Sequence, residues 1–223
     1  MSIYPAWFQV LRAVIRPFFH PLRVDGAQNL TPDQPYVLIA RHLNNYGPCA
    51  AYLFAPTQFH MWTFHTLLDT KKFYKHCSEF TFSKRAGLPL WLARICAALL
   101  CWWAPFLFRK VGMIPVYRGL REVLKTMDLS VDALVKGENL FIMPDVQYIN
   151  ESGPMGEMYT GFIHLGKLYY KRTGKQLHFV PLCINRNQHT MRVGRPIAYD
   201  PAAPTQQEKE RIRIQLTQEL DRI

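Results

Sequence analysis

The chain has 223 residues, 49% of them hydrophobic, 13% aromatic and 19% charged. This composition excludes a disordered chain, a coiled coil and a collagen-like repeat, and the length suits one domain with a full core. A formal net charge of +11 points towards anionic partners: nucleic acid, phospholipid headgroups, phosphorylated substrates or an acidic carrier protein. Five cysteines cannot all pair, no CxxC is present, and no secretory leader pattern opens the chain. A reduced, cytoplasm-facing protein is the simplest reading.

Residues 4–22 place Trp7, Leu11, Val14, Ile15 and Phe18 at helical spacing, with Arg12 and Arg16 one turn apart. That pattern fits an amphipathic helix with aromatic anchors lying in a headgroup layer, and equally a helix packed on its own domain. Residues 36–40 form a short apolar strand ending abruptly at Arg41 and His42, and residues 59–64 read as a second strand. His60, His65, His76 and Cys77 match no standard zinc spacing, so they read as scattered structural residues.

Residues 88–108 are apolar, uncharged from Ile95 to Phe108, and flanked by Lys84, Arg85, Arg109 and Lys110. The run is too short to span a bilayer. Trp91, Trp102 and Trp103 favour a partly immersed, monotopic helix over a core helix, and Pro105 should bend or end it. Residues 113–117 predict a third strand, and residues 119–136 an amphipathic helix stopped by Gly137. Strands at 139–143 and 178–184 alternate with a helix over 158–172, an edge strand over 191–198 and a closing helix over 204–223. The alternation argues for one α/β domain with a central, mostly parallel or mixed sheet flanked by helices.

In such sheets ligands meet the loops at strand ends. Four of them carry chemistry: Arg41 and His42, Arg118, Pro144 and Asp145, and Asn185 and Arg186. A histidine, several arginines and one carboxylate suit a general base acting on a phosphorylated hydroxyl compound. Taken singly, each also reads as an ordinary loop residue.

In order and spacing these blocks resemble the glycerolipid acyltransferase family, which includes the lysophosphatidic acid acyltransferases. The family's His-x4-Asp block falls on Arg41-His42-Leu43-Asn44-Asn45-Tyr46-Gly47-Pro48, and its Gly-to-Arg strand on Gly112-Met113-Ile114-Pro115-Val116-Tyr117-Arg118. Its Phe-Pro-Glu-Gly-Thr-Arg block falls on Met143-Pro144-Asp145-Val146-Gln147-Tyr148, and its Val-Pro strand on Val180-Pro181-Leu182-Cys183-Ile184. The resemblance covers residues 30–200 and fails mainly at the apolar segment.

The resemblance implies a single acyltransferase-like domain over 1–223, with an amphipathic membrane-association segment over 1–29 and an apolar insertion over 86–110. It implies transfer of an acyl group from acyl-CoA or acyl carrier protein, with no further cofactor and no metal. The acceptor is a hydroxyl of a lysophospholipid or glycerol-phosphate-like compound. His42 is then the base, and Asp145, at the place of the family's glutamate, is the carboxylate left to support it, because Gly47 stands where the motif has aspartate. Arg118, Arg41, Asn44, Asn45, Gly112 and Tyr148 are the implied substrate-binding residues. The lost third-motif arginine is Tyr148, and Arg41 supplies a cation beside the histidine. The implied location is peripheral or monotopic on the cytoplasmic face of a membrane. The alternative is a catalytically impaired member that binds lipid, carrier protein or a partner enzyme. Nucleic acid finds no motif, since the tryptophans cluster away from the cations.

Overall fold

A computed structural model of the chain describes residues 2–30, 33–44, 46–117, 119, 121–146 and 155–222. Its strands are β1 (Arg23–Asp25), β2 (Tyr36–Ile39), β3 (His60–Phe64), β4 (Ile114–Val116), β5 (Leu140–Ile142), β6 (His178–Asn185), β7 (Thr190–Val193) and β8 (Ile197–Ala198). They form an eight-stranded sheet in the order β1-β7-β6-β2-β5-β3-β4, with β8 also paired to β6. The central run β6-β2-β5-β3-β4 is parallel throughout, while β7 and β8 lie antiparallel to β6. All five parallel strands therefore end on one edge.

The short apolar runs form strands because both of their faces are covered, as a parallel sheet requires. Alternation divides the side chains. Val37, Ile39, Leu140, Ile142 and Phe179 pack with Met127, Val131 and Leu134 of α5 (Glu122–Val135). The same layer holds Leu165 and Tyr169 of α6 (His164–Thr173) and Ile212, Leu216 and Leu220 of α7 (Thr205–Asp221). Leu38, Phe141, Val180 and Leu182 face the other way, against Ala50, Ala51, Leu53 and Phe54 of α2 (Tyr46–Phe54).

The N-terminal helix α1 (Ala6–Ile15) ends in a 3₁₀ turn at Arg16–Phe18, where Pro17 lacks the N–H that would continue it. Phe8 is buried against Tyr4 and Val111, whereas Trp7, Val10, Val14 and Phe18 stay exposed. Between β3 and β4 lie α3 (Thr70–His76), a π-helix (Cys77–Arg85) and α4 (Leu90–Lys110). The expected break at Pro105 does not occur, and α4 continues to Lys110.

By length and composition α4 is one helix long and apolar enough to cross a membrane, which corrects the expectation of a run too short to span. One stripe of it, Ala93, Ala97, Ala104 and Pro105, is buried, with Ala97 and Ala104 against Phe73 and Cys77. The opposite stripe exposes Trp91, Ile95, Leu99, Trp102 and Phe106, Trp102 to 86%. An apolar patch of this extent on an otherwise folded chain marks an interaction surface.

Core and patch should respond differently to truncation. Leu134→Ala, at a site with no solvent exposure, should lower unfolding free energy by about 3 kcal/mol in urea titrations. Leu99→Ala on the outer face of α4 should change it by less than about 0.5 kcal/mol.

Candidate active site

The pairing of β2 with β5 sets Ile39 opposite Ile142, and Ala40 N–H continues the ladder by donating to Ile142 C=O at 3.1 Å. His42 and Asp145 each lie three residues beyond these partners on adjacent parallel strands, which run about 4.8 Å apart. Equal offsets bring the two side chains together. His42 Nδ1 lies 2.7 Å from Asp145 Oδ1. The backbone N–H of His42 donates to the same carboxylate, at 3.2 Å to Oδ2 and 3.3 Å to Oδ1.

The Asp145 side chain is 9% exposed and the His42 side chain 30%, so a buried carboxylate supports a ring that keeps one side accessible. With a carboxylate as acceptor, the neutral ring carries its proton on Nδ1 and keeps its lone pair on Nε2. The loop bearing Asp145 is itself fixed. Val146 N–H donates to Glu157 C=O at 3.0 Å, and Tyr159 N–H to Pro144 C=O at 2.8 Å.

The loop after His42 turns through two consecutive left-handed residues, Leu43 at φ 44° and Asn44 at φ 61°. For leucine this conformation costs about 1–2 kcal/mol, and the burial of Leu43 in the α2 core holds it there. The turn brings Gly47 N–H to His42 C=O at 3.0 Å. A Cβ at position 47 would stand 2.4 Å from the His42 carbonyl oxygen and 2.6 Å from that of Arg41. Glycine is required by this approach. Position 47 has no room for a side chain, and the carboxylate that meets His42 comes from the loop after β5.

Arg41 precedes His42 on the same edge. Asn44 lies in the turn with its buried Oδ1 unpartnered. Arg186, one residue beyond β6, brings its guanidinium to 5.2 Å from the centroid of the Tyr46 ring. Burial pushes the Tyr46 phenol up, and the Arg186 charge partly offsets the shift. Asn45, Arg118 and Tyr148 lie outside the described residues, although β4, which leads to Arg118, ends on the same edge as β2.

Gly112 does not join this group. It precedes β4, at the opposite edge of the sheet, and its φ of 73° and its close approach to His60 explain the glycine. Its carbonyl lies 2.7 Å from His60 Nδ1, while His60 Nε2 lies 3.0 Å from Glu138 Oε2.

Sequence reasoning missed α3 and the π-helix, which line a cleft beyond the end of β3. The available signal was Lys72, Lys75, His76 and Glu79 at i, i+3, i+4 and i+7, one helical face.

No family model matches the chain, and no curated protein matches it. Among solved structures it is similar to the crystal structure of the 1-acyl-sn-glycerophosphate (LPA) acyltransferase PlsC from Thermotoga maritima. The TM-score is 0.58 at 9% sequence identity, over 95% of this chain and 79% of that one. The fold is that of this acyltransferase. At such identity the likeness concerns architecture, and the His42–Asp145 geometry is a property of this chain.

The crowding at position 47 has a direct consequence. Gly47→Asp should not supply a second carboxylate to His42. It should lower stability by about 1–3 kcal/mol, as overpacking does, and Gly47→Ala should cost as much in the same denaturation experiment.

Proposed function

We propose that the chain is a membrane-surface O-acyltransferase of the glycerolipid type, moving an acyl group from a thioester to a hydroxyl of a phosphorylated acceptor. The observation that carries this reading is the hydrogen bond from His42 to Asp145 on an acyltransferase fold. His42 Nε2 takes the proton of the acceptor hydroxyl as its oxygen attacks the thioester carbonyl. Asp145 holds the tautomer and stabilises the imidazolium that results. Collapse of the tetrahedral adduct breaks the C–S bond, and the imidazolium returns its proton to the departing thiolate. The donor is acyl-CoA or acyl carrier protein, and no other cofactor enters the proposal. Arg41 and Arg118 supply charge for the acceptor phosphate, with Asn44, Asn45 and Tyr148 as further contacts.

The membrane part of the reading is supported by α4 and α1 together. Tyr4 and Phe8 pack on Val111, with Leu107 beside them, so the two apolar segments adjoin. Arg109 and Lys110 stand exposed at the end of α4. A helix immersed along one face, on the cytoplasmic leaflet, would bury the exposed tryptophans and set these cations among anionic headgroups.

Purified protein supplied with labelled acyl thioesters and a panel of lysophospholipids and glycerol phosphates tests the reading. His42→Ala should abolish transfer while vesicle binding persists. Asp145→Asn should lower kcat by about 10²–10⁴-fold with a small change in KM, since it removes the support of the base rather than the acceptor's contacts. Absence of transfer from every donor, with normal vesicle binding, would favour the lipid- or partner-binding alternative. In sedimentation with anionic vesicles, Trp102→Ser should weaken binding several-fold, and raised salt should weaken it further.

A further inference from the structure

Beyond the end of β3, residues of α3 and the π-helix line a shallow, open cleft of about 340 Å³. Lys72, Lys75 and His76 line one side of it, and Phe64 and Phe80 give it apolar walls. Lys72 and Lys75 are exposed on α3, and the Lys72 charge also acts on Asp69 at the start of that helix. Glu79 is the one carboxylate in the lining, so the cations outnumber it. The Thr66 hydroxyl, also in the lining, is buried without a hydrogen-bond partner. One wall is a π-helix, a conformation found frequently at functional sites.

Position narrows the ligand. The cleft opens on the sheet edge that carries His42, but β5 separates β3 from β2. Two strand spacings put its floor about 10 Å from the catalytic strand, with α3 further out. In a glycerol phosphate the reacting hydroxyl and the phosphate are only a few bonds apart and do not bridge that gap. In a phosphopantetheine thioester, a long amide-linked arm separates the reacting carbonyl from the phosphate, and the arm carries a geminal dimethyl group suited to an aromatic wall.

We propose that this cleft anchors the phosphate of the acyl donor's phosphopantetheine arm through Lys72 and Lys75, with the arm crossing Phe64 on its way to His42. The assignment deepens the acyl-transfer reading and rests on it for the ligand's role. Coenzyme A and a carrier protein share this phosphate, and Lys72 and Lys75 would bind it by charge-assisted hydrogen bonds in either case.

The test is direct binding by the full chain, measured calorimetrically in detergent with 4′-phosphopantetheine and with pantetheine, which lacks the phosphate. Phosphopantetheine should bind roughly tenfold more tightly or better, the scale of one or two charged contacts. The double variant Lys72→Ala/Lys75→Ala, checked for an unchanged circular dichroism spectrum, should erase that difference. Equal binding of the two probes to the wild type, or a preference that survives in the variant, overturns the proposal. Displacement of phosphopantetheine by equimolar lysophosphatidic acid overturns the donor assignment.

Coenzyme A and phosphopantetheinylated carrier protein form parallel arms. Weakened binding of either in the variant supports the site and identifies the source, and undiminished binding of both overturns it. Because these readouts need no turnover, a chain that binds the probe through its lysines yet transfers no acyl group would fail the acyl-transfer reading while keeping the cleft.

Discussion

Pairing of Ile39 with Ile142 in adjacent parallel strands is the constraint on which the site depends. Everything chemical follows from where those two strands stop. The loops leaving them carry His42 and Asp145 the same number of residues past the last paired position, and the side chains meet at 2.7 Å. A one-residue slip would turn every side chain of β2 to the other face. It would also carry His42 away from the carboxylate. The register is held by burial on both faces, since Val37, Leu38, Ile39, Leu140, Phe141 and Ile142 all have 3% exposure or less. Core packing and the His42–Asp145 geometry are thus one requirement.

The tight loop after His42 is the other half of the arrangement. Two left-handed residues and a glycine that touches two backbone carbonyls leave no place for an aspartate at position 47. The carboxylate that meets His42 comes instead from the loop after β5. It binds the backbone N–H of His42 as well as the ring, so loop and imidazole are oriented by a single group. This economy suits a buried carboxylate, whose remaining oxygen lone pairs would otherwise be costly to leave unmade.

Much of this was legible in the sequence, for identifiable reasons. The strands at 36–40, 139–143 and 178–184 are short apolar runs bounded by polar residues, and doubly covered parallel strands leave that trace. Asp145 could be singled out because Gly47 removed the competing carboxylate. What the sequence did not reveal was that β2 and β5 are neighbours, a long-range fact on which the equal offsets depend. Gly112 was misplaced for a related reason. Its glycine answers a local approach to His60 at the opposite edge, which motif order cannot distinguish from a ligand contact. In the segment from Thr70 to Arg85 the signal was the polar face of Lys72, Lys75, His76 and Glu79 rather than a long apolar stripe, so neither α3 nor the π-helix was read. Pro105 misled because a proline in a long helix can be tolerated where neighbouring packing on Ala97 and Ala104 sustains the helix.

Nitrogen-15 spectra of histidine-labelled protein address the central claim most directly, because they report which ring nitrogen of His42 carries the proton. The neutral ring should be the Nδ1–H tautomer, with a proton strongly deshielded by its bond to Asp145 and lost from that position in Asp145→Asn. An Nε2–H tautomer, or a His42 signal indifferent to Asp145→Asn, would contradict it.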